Sequence, residues 1–400
     1  MKVLHVIPSI SEKDGGPSQA IFPMCSALRA QGISVDVATT NAGLNDASGL
    51  ELERSITYKG LPVILFPKQL ADSFKYSRPF TNWLNENVKH YDLVHIHSVF
   101  NHSCIAAARA CRKNGIPYIV RPLGTLDPWS MNQKSFRKRV FWHAGIQRML
   151  ESASAIHYTA SGEQEAVEDS LNLKNGFVAP LGVDVGESSS STGAFGDVEG
   201  VGGQPFVLVL SRLHPKKELE TLIEAFLAAV ANGLDHWRLV IAGDGEPDYV
   251  NRLKEVVGSD SHVLFTGWLQ GEKKEDALRN ASLVALVSRQ ENFGLCIAEA
   301  MAHGVPVLVS PQVNLAADIE QSGSGWVAPI DKEKLTRVLT EVMSDDDERT
   351  ARGRAGRELA QRRFTWEVIA QQLAQVYSSI IEPRVVPRQV DSPRQRIAQG

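Results

Sequence analysis

Short apolar runs alternate with amphipathic stretches along most of the chain, in two consecutive sets. Residues 2–7, 33–40 and 93–97 are apolar runs of the first set, and residues 206–210 and 283–287 belong to the second. Runs of this length predict buried strands, and the stretches between them predict helices. Strands that alternate with helices form parallel sheets. The chain is therefore predicted to be α/β, with two Rossmann-like domains facing each other across a cleft.

The pattern is interrupted in two places. Residues 186–204 are rich in glycine and serine and offer almost nothing to bury, which is typical of a linker. Residues 383–400 mix proline, arginine, glutamine and serine without periodicity, which predicts a disordered tail. The predicted domains are accordingly residues 1–185 and 205–364. Within the first domain, residues 57–66 are predicted to form a strand pair or an edge strand.

One strand-turn-helix of the second domain carries the strongest chemical signal. Gly294 permits a sharp reversal after the strand at 283–287, and a helix is predicted from Leu295 to His303. Glu291 precedes this helix and Glu299 lies about one turn inside it. A helix N-terminus attracts anions, and carboxylates accept hydrogen bonds from hydroxyl groups. The turn therefore predicts a ligand that is both anionic and polyhydroxylated.

Two cations follow the first strand of the second domain. Arg212 offers a planar fork and Lys217 a point charge, and together they can neutralise a diphosphate without a metal ion. Cationic loop residues are usually just solvated, so this pair alone is a weak signal. Combined with Glu291 and Glu299 at the same sheet edge, the pair predicts a donor pocket for a sugar nucleotide.

Further loops supply candidate ligand contacts. One such loop is Thr266-Gly267-Trp268-Leu269, whose backbone is suited to hydrogen-bonding a base. Another is Gly243-Asp244-Gly245, in which Asp244 is predicted to be a turn residue rather than a ligand contact. In the first domain, Gly15-Gly16 lets the backbone approach a ligand closely, although a flexible tight turn explains these glycines equally well. The loop is not G-x-G-x-x-G, which disfavours a dinucleotide. His97 ends a buried strand at the ligand-binding edge; His102 follows closely and is the alternative, and a lone histidine there is more often structural.

Composition excludes several classes of function. The formal charge of −4 gives no bulk attraction to nucleic acid or to an anionic membrane. No run approaches the length of a membrane span and no signal peptide is evident, so we expect a cytoplasmic protein.

Basic and aromatic residues alternate at residues 132–142, which include Lys134, Arg137, Lys138 and Arg139. Two interpretations of this stretch are possible: a solvated helix face, or a peripheral contact with anionic lipid or with an acceptor phosphate. Four cysteines without a C-x-x-C pair argue against disulfides and zinc: Cys25, Cys104, Cys111 and Cys296.

Taken together, these residues resemble the family-4 group (group 1) of retaining GT-B glycosyltransferases. The resemblance covers the chain from Lys2 to about Ile381 and is most specific at Glu291 and Glu299, which form an E-x7-E signature. It implies a metal-independent hexosyltransferase without a cofactor, which moves a hexose, best guess glucose from UDP-glucose, to a saccharide or lipid-linked saccharide in polysaccharide or glycolipid synthesis. It also implies that a last helix, at about residues 365–382, crosses back to the first domain.

The resemblance assigns a role to each site residue. Arg212 and Lys217 would hold the donor diphosphate and Glu299 the ribose, while His97 would line the acceptor space. Glu291 would orient the transferred sugar. The remaining donor contacts are the backbone or side chains of Gly15, Gly16, Gly243, Trp268, Leu269, Asn292, Phe293, Gly294 and Leu295.

Departures from the family pattern concern both domains. Ser211 stands where glycine is usual, Glu218 stands where glycine or asparagine is common, and residues 310–314 replace a glycine-rich turn. A frequent histidine-aspartate pair is replaced by the segment from Arg121 to Asp127, which makes these two residues acceptor candidates. Three rival functions remain: a sugar-nucleotide epimerase, a phosphorylase and a non-catalytic nucleotide-sugar-binding subunit.

Overall fold

The computed structural model describes residues 1–11, 16–44, 49–70, 74–127, 131, 141–186 and 201–382. Four predictions fall outside these residues: the ligand contact at Gly15, the basic stretch that includes Lys134 and Arg139, most of the linker, and the tail at 383–400.

The first eight strands form one sheet in the order β3-β4-β2-β1-β5-β6-β7-β8. All neighbours are parallel except β3 and β4, which pair antiparallel at the edge, as predicted for a strand pair there. The strands are β1 (Lys2–Ser9), β2 (Ser34–Thr40), β3 (Ser55–Tyr58), β4 (Leu61–Phe66), β5 (Leu93–His97), β6 (Tyr118–Arg121), β7 (Ala155–Tyr158) and β8 (Gly176–Val178).

The last six strands form a second, fully parallel sheet in the order β11-β10-β9-β12-β13-β14. They are β9 (Phe206–Leu210), β10 (Arg238–Ala242), β11 (Val263–Gly267), β12 (Leu283–Leu286), β13 (Val307–Val309) and β14 (Gly325–Val327). Both sheets thus have the doubly wound character that the strand-helix alternation predicts.

Helices connect the strands. They are α1 (Gly16–Ala30), α2 (Arg78–Asn87), α3 (His102–Asn114), α4 (Gln147–Glu151), α5 (Ser161–Leu171), α6 (Leu219–Ala231), α7 (Pro247–Val257), α8 (Gly271–Asn280), α9 (Leu295–Ala302), α10 (Ala316–Ser322), α11 (Lys332–Ser344), α12 (Asp346–Arg363) and α13 (Trp366–Ile381). Shorter 3-10 turns lie at Val88–His90 and Pro215–Lys217, and a π-turn lies at Trp142–Ile146.

Each sheet is covered on both faces. Neighbouring residues of β1 point to opposite layers: Val3 packs in the core that contains α1, whereas Leu4 packs in the core beneath α3. In the second sheet, Val207 faces the core of α6 and Leu208 faces the layer that contains α9. This two-sided burial explains why the strands are continuous apolar runs rather than alternating ones.

The last helix returns to the first domain, as expected. Thr365 caps α13 by accepting a hydrogen bond from Val368 N, and its backbone bridges to Val183 just before the linker. Gly182 makes room for Trp366, since a Cβ there would lie 2.3 Å from the indole. Further along α13, the Tyr377 hydroxyl lies 2.7 Å from His95 Nδ1 on β5. The last described helix therefore packs on the sheet that contains β1.

Candidate donor site between the two domains

The glutamate turn, residues 288–295, connects β12 to α9. Gly294 has φ +77°, and a Cβ at this position would lie 3.0 Å from Leu286 Cδ2, so glycine is required both by conformation and by space. The backbone of Glu291 pairs with residues 312–314: its N–H donates to Gln312 O at 3.2 Å and its carbonyl accepts from Asn314 N at 3.2 Å. Residues 310–314, which replace the family's glycine-rich turn, thus hold the glutamate turn in place through backbone hydrogen bonds.

Glu291 and Lys217 form an ion pair at the centre of this edge. Lys217 is only 7% exposed, and the Glu291 carboxylate is largely buried. Burial alone would raise the pKa of Glu291, but the charges of Lys217 and Lys216 hold it below its ordinary value. Glu291 is therefore an ionised hydrogen-bond acceptor, which fits orientation of sugar hydroxyls better than proton donation.

Lys217 is held in place by the cation loop, residues 211–218. Lys216 O accepts from Arg289 N at 2.8 Å and from Ser288 Oγ at 3.1 Å, so the loop is tied directly to the glutamate turn. Glu218 has φ +48°, a left-handed conformation that costs a non-glycine residue about 1 kcal/mol. This explains why glycine or asparagine suits the position. Here the Glu218 side chain offsets part of that cost through an ion pair with Arg289.

Arg212 is exposed at the start of the same loop. Its charge reaches the neighbouring cations: burial is the main cause that lowers the pKa of Lys216, and Lys217 and Arg212 lower it further. An anion placed here would relieve this mutual repulsion. The loop therefore carries a local concentration of positive charge that suits an anion.

Glu299 is paired with a lysine that sequence reasoning missed. Lys274 Nζ on α8 lies 2.7 Å from Glu299 Oε1, and both side chains are mostly buried. Burial raises the pKa of Glu299, while Lys274 partly opposes this shift. Nothing local distinguishes Lys274 from its neighbour Lys273, so only the packing of α8 against α9 reveals it.

The glycine loop after β10 has a packing role. A Cβ at Gly243 would lie 1.9 Å from Ser211 O, and one at Gly245 would lie 2.1 Å from Leu213 O. Asp244 accepts from Gly245 N at 2.8 Å, as a turn residue does. The glycines therefore let this loop lie against the cation loop. Next to it, Trp268 is 43% exposed, an unusual exposure for an indole in a folded domain.

Residues of the first domain meet this edge. Gly16, at the start of α1, faces Leu295: a Cβ there would lie 3.8 Å from Leu295 Cδ2. Asn292 lies 2.7 Å from Thr159 Oγ1 in the loop after β7. Asp127 is close enough to Lys216 to affect its pKa. The glutamate turn therefore lies at the boundary between the two sheets, where a cleft was predicted.

Comparison with known proteins identifies the two halves separately. A Glycosyl transferase 4-like domain matches residues 15–182, and the Glycosyl transferases group 1 family matches residues 196–359. The chain belongs to the group 1 glycosyltransferases.

Two relatives of this glycosyltransferase match less than half of its chain. The GDP-mannose-dependent alpha-(1-6)-phosphatidylinositol monomannoside mannosyltransferase of Mycobacterium tuberculosis is 30% identical over 187 residues, which cover 44% of this chain and 47% of that one. Mannosylfructose-phosphate synthase of Agrobacterium fabrum is 34% identical over 177 residues, 42% and 39% of the respective chains. The matched part of this chain thus spans at most about half the length of these curated relatives.

The whole described fold has solved counterparts. The crystal structure of Anabaena HepE in complex with UDP and glucose aligns with a TM-score of 0.75 over 95% of this chain and 100% of that chain, at 22% identity. The predicted GT-B fold is confirmed. Among the helices that the structure describes, none has the length and apolarity to cross a membrane.

His97, expected to line the acceptor space of the glycosyltransferase, is instead 2% exposed. Its Nε2 lies 3.0 Å from His5 Nδ1, and its ring stacks on His95 with centroids 4.4 Å apart. α1 and α13 cover this face of the sheet, which is why the ring is buried. The structure therefore places His97 inside a histidine cluster made of His5, His95, His97 and His157.

The hydrogen bonds of the cluster define its protonation. His157 Nε2 donates to Ala179 O at 2.7 Å, because a carbonyl can only accept. His157 Nδ1 then accepts from His95 Nε2 at 3.2 Å, and His95 Nδ1 accepts from the Tyr377 hydroxyl. His5, His95 and His97 are close enough to share a metal ion. However, both nitrogens of His95 are engaged and the charge of Arg121 acts on all three rings, which opposes a cation.

Neutral histidines make the fold sensitive to acid. Burial lowers the pKa of His5 from 6.5 to about 3, and it lowers the pKa of His95, His97 and His157 well below their ordinary value. In the unfolded chain these imidazoles take up protons near pH 6.5, so protonation favours unfolding. We expect stability to be complete above pH 6.5 and to fall below it, by about 1.4 kcal/mol per pH unit for each histidine.

Urea unfolding between pH 7.5 and pH 5 measures this loss. Replacing His157 by glutamine is expected to make the pH dependence shallower, whereas His236→Ala is the control because that histidine is exposed. A free energy of unfolding that stays constant down to pH 5 would contradict the assignment.

The other acceptor candidates differ in their environment. Both ring nitrogens of His102 bond within the first domain, to Ser77 N at 3.3 Å and to Thr81 Oγ1 at 3.2 Å, so His102 anchors α2 to α3. Arg121 is 2% exposed, and its Nε has no hydrogen-bond partner within the described part of the chain. Of the predicted acceptor residues, Asp127 is the one placed beside the cation loop.

Proposed function

We propose that this glycosyltransferase moves a hexosyl group, best guess glucose from UDP-glucose, to a saccharide or lipid-linked saccharide, with retention at the anomeric carbon and without a metal ion. The observation that carries the proposal is the pair of lysine-bound carboxylates around one helix N-terminus. Glu291 lies before α9 and Glu299 inside it, and each faces a buried or half-buried lysine. Hydroxyl groups of a donor can bond the carboxylates, and its phosphates can bond the cations.

The proposed reaction divides the donor among these groups. Arg212 and Lys217 hold the diphosphate and stabilise the negative charge that grows on it as the glycosidic bond breaks. Glu299 accepts from the ribose hydroxyls, and Glu291 accepts from the hexose. In a front-face substitution the acceptor hydroxyl gives its proton to the departing phosphate, so neither carboxylate needs to attack. The low pKa of Glu291 agrees with this role.

Donor binding is proposed to rearrange the ion pair between Lys217 and Glu291. Lys217 neutralises Glu291, so neither buried charge is unpaired. A diphosphate carries more charge than one carboxylate and would draw Lys217 toward it. Glu291 would then accept hydrogen bonds from the hexose.

The nucleotide and the hexose remain part of the proposal. UDP and glucose are the ligands of the Anabaena HepE structure, whereas the Mycobacterium tuberculosis relative is named for GDP-mannose. Trp268, exposed after β11, offers a surface for a base near the donor edge. We favour UDP-glucose because that structural counterpart covers both domains. A lipid-linked acceptor would bring the protein to the inner face of the plasma membrane, where Lys134 and Arg139 are the proposed contact.

A donor screen tests the proposal. UDP-glucose, UDP-galactose, GDP-mannose and GDP-glucose are each added to the protein, and both thermal stabilisation and slow release of the nucleoside diphosphate are measured. A donor at 100 times its Kd should stabilise the fold by about 2.7 kcal/mol. We expect UDP-glucose to give the largest shift and the fastest release.

Other outcomes of the screen identify the rivals. A larger effect of GDP-mannose would reassign base and hexose, and release of an altered free sugar without acceptor would identify an epimerase. A requirement for inorganic phosphate would identify a phosphorylase. Stabilisation without turnover across an acceptor panel would point to a binding subunit, and absence of stabilisation by every sugar nucleotide would contradict the proposal.

A further inference from the structure

A buried carboxylate of the first domain lies next to the glutamate turn. Glu163, in the first turn of α5, is 1% exposed. Its Oε1 accepts from Gly124 N at 2.6 Å, and its Oε2 accepts from Thr159 N at 2.8 Å and from Thr159 Oγ1 at 2.9 Å. Sequence reasoning passed over this residue, although an acidic residue just after a strand at the ligand-binding edge was a usable signal.

One of these bonds is typical of a helix start and one is not. In a capping box, a glutamate at the third helical position accepts from a backbone N–H at the start of its own helix, much as Glu163 accepts from Thr159 N in the loop after β7. The bond from Gly124 N comes instead from the loop after β6, which carries the acceptor candidate Asp127. Burial raises the pKa of Glu163, and these hydrogen bonds together with Arg121 partly oppose the shift. Glu163 thus fixes two separate loops of the first domain relative to each other.

The second domain joins the same carboxylate through Asn292. The Asn292 amide lies 2.7 Å from Thr159 Oγ1. With the amide nitrogen turned toward Glu163, it donates to Oε2 at 3.2 Å and to Oε1 at 3.3 Å, while the amide oxygen accepts from Thr159 Oγ1. An ionised carboxylate can only accept, so this orientation joins Asn292 to Glu163; the single hydroxyl hydrogen of Thr159 then goes to Asn292, and Glu163 keeps its bonds from Gly124 N and Thr159 N.

Glycines make the close approach possible. A Cβ at Gly124 would lie 2.9 Å from Asn292 Cβ, and a Cβ at Gly162 would lie 2.8 Å from Asn314 Oδ1. Asn314 in turn donates to Asn292 O at 2.9 Å. Two glycines of the first domain therefore face two asparagines of the second. We call this contact the Glu163 junction; it consists of Gly124, Thr159, Glu163, Asn292 and Asn314.

Asn292, which belongs to the junction, directly follows Glu291 in the sequence. Any movement at Asn292 shifts the carboxylate that is proposed to orient the hexose. We propose that Glu163 is a positioning residue for sugar transfer: it joins the first-domain loop at Gly124 to Asn292 and so holds the closed arrangement in which acceptor and hexose meet. This inference rests on the proposed function for its catalytic consequence, but the domain contact itself does not.

The expected effect separates turnover from nucleotide binding. The diphosphate and the ribose are proposed to bind Arg212, Lys217 and Glu299, which all belong to the second domain, so these contacts do not need the junction. The alignment of the reacting atoms does require the junction, because a displacement of about 1 Å at a reacting centre can lower the rate roughly 100-fold. A residue needed only for folding would instead change stability and affinity together.

The test uses Glu163→Gln, Asn292→Ala and the double variant in the full chain. Glutamine has one acceptor oxygen and one NH₂ group, so it cannot serve Gly124 N and Thr159 N together. Asn292→Ala removes the junction from the other side and leaves the first-domain bonds intact, which covers the case in which Glu163→Gln does not fold. Glu165→Gln, on an exposed position of the same helix, is the matched control.

Three measurements are made: UDP affinity by calorimetry, UDP-glucose hydrolysis, and domain separation by small-angle X-ray scattering. We expect each single variant to hydrolyse UDP-glucose at least tenfold more slowly, with UDP affinity within twofold of wild type and a larger radius of gyration. The double variant should be no slower than the slower single variant, because both remove one contact.

The outcomes distinguish the two proposals. Expanded variants together with a wild-type protein that hydrolyses no sugar nucleotide would support the junction and count against the proposed donor chemistry. Single variants with wild-type scattering and wild-type hydrolysis would overturn the junction. Additive losses in the double variant, or a parallel loss of UDP affinity, would overturn it as well.

Discussion

Replacing Lys217 by alanine is expected to lower donor turnover by a factor on the order of 10² to 10³, the usual cost of removing a group that stabilises developing negative charge. Lys217, in the cation loop, is 7% exposed and forms an ion pair with Glu291, so water replaces it poorly. UDP affinity should also fall, because the diphosphate loses a buried cation. Steady-state kinetics with UDP-glucose and calorimetry with UDP measure the two effects.

A matched control variant distinguishes the loss of turnover in Lys217→Ala from the effect of removing any lysine of this domain. Lys332 forms an ion pair with Glu224 at 3.4 Å, but its side chain is 48% exposed. Exposed pairs of this kind contribute about 0–1 kcal/mol, so Lys332→Ala should leave turnover unchanged. Thermal unfolding of Lys217→Ala identifies any loss of folded protein, since this substitution leaves Glu291 buried without its partner. Turnover by folded Lys217→Ala near the wild-type rate would refute the assignment.

Replacing Glu291 by alanine should affect the two measurements differently. Turnover is expected to fall by roughly 10²-fold, because the hexose loses the acceptor that orients it and misorientation of the reacting group costs about that much. UDP carries no hexose, and without Glu291 its phosphates no longer compete with a carboxylate for Lys217. UDP affinity should therefore be retained or increased. This opposite sign distinguishes Glu291 from Lys217.

Two further variants sharpen the test of Glu291. Glu291→Gln keeps a hydrogen-bonding side chain and should retain more activity than Glu291→Ala. Glu320→Ala, an exposed glutamate of α10, is the control for loss of a negative charge in the same domain. Loss of UDP affinity in Glu291→Ala, in parallel with turnover, would show that this carboxylate serves the nucleotide rather than the sugar.

The strands were predictable because parallel sheets bury both faces. The run that forms β9 is apolar at every position, and those of β1 and β5 are apolar except for a few polar residues such as His5, His95 and His97, so the strand ends are visible within a residue or two. β14, with three residues, and α10, with seven, have no comparable signal and were not predicted. β14 forms by pairing with β13, which is a tertiary cause.

The sequence predicts which residues lie at the donor edge, but it does not predict which of their side chains form ion pairs there. Glu291, Glu299, Arg212 and Lys217 follow strand ends, and strand ends of a parallel sheet lie at one edge. The pairing of Glu299 with Lys274 depends on how α8 packs on α9, which no local pattern encodes. The burial of His97 has the same origin, since α1 and α13 cover it from distant parts of the chain.

The most direct test of the donor site is a crystal structure with UDP bound. The account predicts the ribose hydroxyls within hydrogen-bond distance of Glu299, the diphosphate on Arg212 and Lys217, and the Lys217–Glu291 ion pair broken or lengthened. UDP bound elsewhere, or bound at this edge with its ribose away from Glu299 and its phosphates away from both cations, would contradict it.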